Sequence, residues 1–229
     1  MFRSKSFYIN RPKKSKFLSR YKSSPNIYIA SVDMKASIII KEVGPEETFR
    51  AMGIMENETM AEDWYDFDLH QLDEEQRSWS ARYSQSSEVL SYIARNAKLE
   101  SLPSVYGNAN PSGRNQFFFV AYFRGVPIGA LQLLVYGKDE DQLPEVYFLA
   151  THCGIRGCGV LLMEYAVNKS QQLGRKGKLK LTPYDRARSA YMGMGFIVNK
   201  DNKLELHPDE NNDRWIWNEN TQSYKFRSC

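Results

Sequence analysis

The sequence predicts a mixed α/β fold: a largely antiparallel central sheet flanked by helices, preceded by a flexible basic extension. Three observations predict it. Apolar runs rich in aromatic and β-branched residues cluster between residues 116 and 153, and a short Gly-containing turn joins two of them. Helical patterns lie on both sides of that cluster, in the order strand, helices, strands, helix, strand, helix, strands. The 229 residues are 42% hydrophobic and 25% charged, which allows one sizeable core with an appendage.

Residues 1–35 read as the appendage, a basic, Ser-rich extension without periodicity. Residues 1–32 carry eight Lys and Arg and no acid. The rest of the chain has 23 basic and 27 acidic residues, so it is unlike a nucleic-acid binder that is basic throughout. The extension has no continuous apolar stretch of the kind a secretory signal needs. An export or delivery signal, an organelle presequence, an arm for an anionic partner and a plain solvated tail all fit its composition. A cytoplasmic location is the default expectation, with delivery out of the cell through the extension as the alternative. No apolar run approaches the ~20 residues of a membrane span.

Residues 36–229 read as one domain. "ASIIIKEVG" (Ala36–Gly44) is a strand, with β-branched residues ending at Gly44–Pro45. "PEETFRAMGIM" begins a helix, with Pro and acids in its first turn. Residues 56–102 are mostly helical, and "SSEVLSYIARNAKL" has helical apolar spacing. Glu56–Glu75 holds nine acids, either a solvated face or a surface that attracts a cationic acceptor. "LPSVYGNANPSGRN" is a loop. Gln116–Phe123 and Ile128–Gly137 form a central hairpin around "RGVP", and Phe117, Phe118 and Phe119 belong to the core. Glu145–Cys153 is another buried strand. A helix over Val160–Gly174 follows, stopped by Gly174. Lys176–Pro183 is a strand, "YDRARSAYMGM" a short helix and "GFIV" a strand. "RWIWN" and "SYKF" make a last hairpin around "ENTQ".

The chemistry concentrates in "CGIRGCGVLLM" (Cys153–Met163). The three cysteines of the chain make no disulfide framework, and His152, Cys153 and Cys158 lack a fourth ligand, so no metal centre is expected. A strand, a Gly-rich turn and a helix make a different kind of site. The free N–H groups of a first helical turn and the helix dipole attract an anion, and glycine lets the backbone come close. The spacing of Gly154, Gly157 and Gly159 fits neither a P-loop nor the dinucleotide-binding fingerprint. Glycines kept for packing alone are the alternative.

A second stretch adds to the first. Gly154-Ile155-Arg156-Gly157-Cys158-Gly159, with Leu162–Met163 after it, resembles the [Q/R]-x-x-G-x-[G/A] signature of the GNAT superfamily of acetyl-CoA-dependent N-acetyltransferases. "RARSAYMGMGF" resembles the family's second signature through Ala187, Tyr191, Gly195 and Phe196. The resemblance covers residues 36–227. Gly154 stands where the family has Gln or Arg, and Tyr184 where Asn is common. A register starting at Arg156 leaves Leu161 in the final small position; the register starting at Gly154 sets Leu162–Met163 correctly.

The resemblance implies a GNAT-like fold, acetyl-CoA as co-substrate and transfer of an acetyl group to a primary amine. The acceptor is a protein lysine, an N-terminus, an aminoacyl group or a small amine. It implies that acetyl-CoA lies between the strands at Glu145–Cys153 and Lys176–Pro183. The pantetheine arm then lies on the backbone of Leu149, Ala150 and Thr151, and the diphosphate on Gly154 and the N–H groups of Ile155, Arg156, Gly157, Cys158, Gly159 and Val160. Tyr191 is the candidate acid for the leaving thiolate and Glu145 the candidate base. An acyl-enzyme on Cys153 or Cys158 is a further possibility. The alternatives are a GNAT-fold module that binds CoA or a partner without catalysis, a secreted effector using the fold, and an anion- or nucleic-acid-binding adaptor driven by the basic tail.

Overall fold

The computed structural model describes residues 37–60, 74–102, 114–137 and 142–227. The basic extension, most of the acidic segment and the loop before the central hairpin lie outside the described residues. The elements run β1 (Ile38–Val43), α1 (Pro45–Ile54), a π-helical turn (Met55–Thr59), α2 (Glu74–Ser101), β2 (Arg114–Phe123), β3 (Val126–Tyr136), β4 (Glu145–Thr151), α3 (Cys158–Gln172), β5 (Leu179–Leu181), α4 (Asp185–Gly193), β6 (Ile197–Val198), β7 (Leu204–Leu206), β8 (Trp215–Asn218) and β9 (Ser223–Phe226). Seven strands form one sheet in the order β1-β2-β3-β4-β5-β7-β6, and β8 and β9 form a separate hairpin. Every pairing in the large sheet is antiparallel except β4 with β5. The fold class read from the sequence is the one observed.

The β2–β3 turn is tighter than "RGVP" suggested. Only Arg124 and Gly125 form it, both with positive φ (51° and 81°), as a two-residue turn matching the twist of its strands requires. β3 is an interior strand of the sheet, and its residues from Pro127 to Val135 are all buried. Its two faces build two cores. Leu131, Leu133 and Val135 meet α3 through Leu162, Met163, Ala166 and Val167. Ala130, with Phe118 and Val120 of β2, meets α1, the π-helical turn and α2 through Met52, Met55, Leu90 and Ile93. Buried Gln132 is satisfied within this second layer: Asn96 Nδ2 donates to its Oε1 at 2.9 Å, and its Nε2 donates to Gln116 Oε1 at 2.6 Å.

Two expectations are corrected. The strand expected over Lys176–Pro183 shrinks to Leu179–Leu181, and the helix expected from Val160 starts at Cys158. The last hairpin is not part of the main sheet. The strand beside β5 is β7, whose short "LEL" carries too little pattern to stand out in the sequence. β8–β9 instead packs against α3. Asn168 clamps it through both backbone groups of Tyr224, accepting from the N–H at 2.7 Å and donating to the carbonyl at 3.0 Å. Buried Glu164 accepts from Lys225 Nζ at 2.7 Å and from the Phe226 N–H at 3.1 Å. Among the described residues no helix is long and apolar enough to cross a membrane.

The Asn168 clamp gives a stability test. Asn168→Ala leaves both Tyr224 backbone groups without their partner, at a cost of about 1–3 kcal/mol. Calorimetry should show the melting midpoint falling by several degrees. An unchanged midpoint would mean that the hairpin unfolds separately from the body.

Candidate functional site

The site begins where a strand pairing stops. β4 and β5 are paired only at Glu145 and Lys180, where the Lys180 N–H donates to Pro144 O at 2.9 Å. Beyond that point they part, and β4 keeps a hydrogen-bonded neighbour only on its β3 side. A bulge contributes to the divergence. Gln132 pairs with Phe148 and Leu133 with Val146, so Tyr147 is an extra residue on β4. The bulge also shifts the alternation: Val146 and Leu149 face the α3 core, whereas Phe148 and Ala150 face α2.

A groove of about 240 Å³ occupies the splay. One wall is β4 from Val146 to Thr151. Leu181 to Tyr184, one face of α4 (Ala187, Ala190 and Tyr191) and Met194 just after it form the opposite wall. Gly159 of α3 lines it as well, and Gln85, Ser86 and Val89 of α2 form a third side. Nothing in the sequence marks Gln85 and Ser86, which are polar and carry no motif, whereas Val89 belongs to the apolar stripe of the helix.

The loop between β4 and α3 is built on glycines for identifiable reasons. Gly157 is the N-cap residue of α3 with φ 80°, a left-handed conformation that side chains resist, and no side chain caps the helix. The first turn contains no acid, so the N–H groups of Cys158, Gly159 and Val160 lie at an open positive helix end. A Cβ on Gly159 would lie 3.5 Å from Leu149 Cδ2, an ordinary van der Waals contact beside the groove. Gly129 of β3 permits the close approach of α3: a Cβ there would lie 3.1 Å from Ala150 O and 3.2 Å from Cys158 Sγ.

The residues singled out from the sequence have distinct positions. Leu149, Ala150, Thr151, Gly159 and Tyr191 line the groove. Arg156 is exposed beside the start of α3, and Val160 is half-buried in its first turn. The N–H groups of Gly154 and Ile155 are already used. Gly154 donates to His152 Nδ1 at 3.1 Å and Ile155 to His152 O at 3.0 Å, and the Ile155 side chain is in the core. Glu145 is half-buried at the closed end of the splay and is not among the groove's lining residues, although its neighbour Val146 is. Tyr136 lies close to it: burial first, and then the Glu145 carboxylate, raise the Tyr136 phenol above the ordinary tyrosine range.

Tyr191 is held by the end of its own helix. Gly195 has φ 93°, its N–H donates to Met192 O at 3.0 Å, and the Phe196 N–H reaches back to Tyr191 O at 3.2 Å. The Phe196 ring then packs edge-on against Tyr191, with centroids 5.7 Å apart. The Tyr…Gly-Phe spacing is therefore a helix-ending device that fixes a tyrosine in the groove. The residue as a whole stays partly open to the groove, while burial pushes its phenol up to about 12.

The two cysteines of the opening motif are buried thiols. Burial pushes Cys158 up to about 12 and Cys153 to about 11. Neither forms a thiolate readily near neutral pH, which removes the basis for an acyl-cysteine.

No protein-family model matches the sequence, and no curated protein matches it. Among solved structures the chain is similar to PaiA N-acetyltransferase from Thermoplasma acidophilum in complex with coenzyme A. Identity is 17%, covering 74% of this chain and 96% of that one, with a TM-score of 0.39. It is similar to an acetyltransferase of the GNAT family from Streptococcus pneumoniae, at 17% identity over 71% of this chain and 85% of that one, TM-score 0.41. It is also similar to a tandem GNAT protein from the clavulanic acid biosynthesis pathway, at 15% identity over 71% of this chain and 45% of that one, TM-score 0.45. Each is a likeness at low identity; what bears on the chemistry is the groove.

The thiol environment is directly checkable. Native protein treated with iodoacetamide near neutral pH should leave Cys153 and Cys158 unmodified by peptide mass spectrometry, and both should react after denaturation. Rapid native labelling of Cys158 would reopen covalent catalysis.

Proposed function

We propose that the groove binds acetyl-CoA and that the protein is an N-acetyltransferase acting on a primary amine. The observation that carries this reading is the free edge of β4 ending at an uncapped helix N-terminus. An extended ligand with amide groups along its length and a diphosphate at one end matches both features. Leu149, Ala150 and Thr151 supply the backbone edge for the pantetheine arm. Arg156 and the N–H groups of Gly157, Cys158, Gly159 and Val160 supply the anion site.

Acetyl-CoA, when bound, supplies a thioester whose carbonyl carbon takes the amine: a C–N bond forms, the C–S bond breaks, and CoA leaves as a thiol. The proton transfers fall to the chain. Tyr191 protonates the departing sulfur, since its raised pKa keeps the phenol protonated through neutral pH. Glu145 takes the proton that the ammonium loses before attack, and the second proton, shed by the nitrogen as the amide forms, restores the Tyr191 phenol. Because Glu145 lies beside the groove rather than in its lining, we assign it a water-relayed role.

The α2 side suits a cationic acceptor. Tyr92 donates to Glu88 Oε1 at 3.3 Å, and its ring stacks on Phe148 at 5.4 Å. Burial first, then the negative charge of Glu88, raise the Tyr184 phenol above its ordinary range, which sets that carboxylate near the groove wall. Among the described residues no cation pairs with Glu88. A lysine-bearing peptide or a polyamine fits this surface better than a neutral amine. A second reading, a module that binds CoA without turnover, draws support from the position of Glu145 outside the lining.

Four measurements decide. Incubation with acetyl-CoA and cell extract should yield acetylated amines by mass spectrometry; CoA binding without turnover across an amine panel would favour the binding module. Tyr191→Phe should lower kcat about 100-fold with little change in CoA affinity. In the wild type, kcat should show no tyrosine-dependent fall near about pH 10, where an ordinary phenol ionises. Glu88→Gln should raise KM for a lysine peptide roughly threefold to tenfold while leaving KM for acetyl-CoA alone. Wild-type kinetics in both variants would sink these assignments.

A further inference from the structure

His152, the residue after β4, has no part in the steps above, yet it is buried, with a relative exposure of 3%. Its backbone N–H donates to Ile128 O at 2.8 Å, and its carbonyl accepts from Ile155. Its ring does more. Nδ1 accepts from the Gly154 N–H at 3.1 Å, and Nε2 lies 2.9 Å from Thr59 O. A backbone N–H only donates and a carbonyl only accepts, so these partners require the neutral tautomer with hydrogen on Nε2. Burial acts in the same direction, lowering the imidazole pKa.

The Thr59 carbonyl belongs to the last residue of the π-helical turn that extends α1, and the next carbonyl, Met60 O, accepts from the Tyr83 hydroxyl of α2 at 2.7 Å. The ring of His152 thus joins the start of the β4–α3 loop to the end of the α1 segment on the opposite face of the sheet. The ring takes the Gly154 N–H, and the His152 backbone carbonyl takes that of Ile155. Gly154 and Ile155 are turned inward onto His152, and the free donors begin after them.

We propose that His152 is the positioning residue of the diphosphate loop: by holding the Gly154 N–H inward and anchoring itself on Thr59, it sets Arg156 to Val160 in register for an anion. The proposal rests on the reading of the groove as an acetyl-CoA site.

Two substitutions separate the halves of the ring. His152→Asn keeps an acceptor near the Nδ1 position, and His152→Gln keeps a donor near the Nε2 position. In ligand-free protein, amide hydrogen exchange of the 153–158 peptide should quicken in His152→Gln and stay close to wild type in His152→Asn. By calorimetry, Kd for CoA should rise roughly tenfold in His152→Gln and less than about threefold in His152→Asn, in line with the loss or retention of one oriented hydrogen bond. KM for S-acetylpantetheine, which has no diphosphate, should hold in both. Equal weakening of both donors in both variants, with lowered melting midpoints, means a merely structural histidine and overturns the proposal. So does unchanged loop exchange in His152→Gln. Wild-type protein that fails to bind CoA overturns the acetyl-CoA reading itself, and the exchange comparison then still reports whether His152 orders the loop.

Discussion

β4 and β5 run parallel and meet at a single position, Glu145 against Lys180, and the groove exists because they separate there. Parallel neighbours need a crossover between them, here the loop, α3 and the turn that returns to β5. The crossover carries the start of α3 to the groove, where Gly159 lines the wall. The bulge at Tyr147 lets Val146 and Leu149 share one face while Phe148 turns to α2. Without the extra residue the β4 side chains would alternate regularly, and one of the two cores would lose its contact.

The far wall of the groove depends on the C-terminal segment. α4 buries none of its residues fully, so its own packing holds it weakly. The chain after β7 supplies the restraint. Arg214 Nη1 donates to Gly193 O at 2.7 Å, Trp215 Nε1 to Met194 O at 2.8 Å and Asn211 Nδ2 to Gly195 O at 3.2 Å. Three carbonyls at and just past the end of α4 are thereby satisfied from one short stretch. Trp215 is fully buried, and β8–β9 is fastened to α3 through Asn168 and Glu164. α3 and α4, which both border the groove, are therefore tied together through the β8–β9 hairpin.

Much of this was legible in the sequence where local physics requires particular residues. Gly157 and Gly195 need positive φ, and Phe196 must reach back to Tyr191, so "GCG" and "YMGMGF" carry their geometry in one dimension. The central strands announced themselves by length and apolarity. Other features depend on contacts between residues distant in the chain. β7 is three residues long, and pairing with β5 rather than pattern makes it a strand. Gln85 and Ser86 line the groove only because α2 crosses β4. His152 looked like an incomplete metal ligand because its partners, Gly154 N–H and Thr59 O, are backbone atoms that no spacing reveals. Glu145 was placed on its strand correctly, but which side of a bulged strand faces the groove is settled by the pairing register.

The ionisable groups around the β4–α3 junction share one physical cause. Desolvation is the largest influence on Tyr191, Cys153, Cys158 and His152, and in each it favours the neutral form: raised for the phenol and the thiols, lowered for the imidazole. An amine moving from water into the same surroundings meets the same penalty on its ammonium form. Part of its deprotonation is thus supplied by the low polarity of the site, and the base need only receive the proton. That favours a carboxylate beside the groove, half-buried at the paired end of the splay, over one within its lining. The position of Glu145 suits a proton acceptor reached through water, and a nucleophilic cysteine has no role in a site that keeps its thiols neutral.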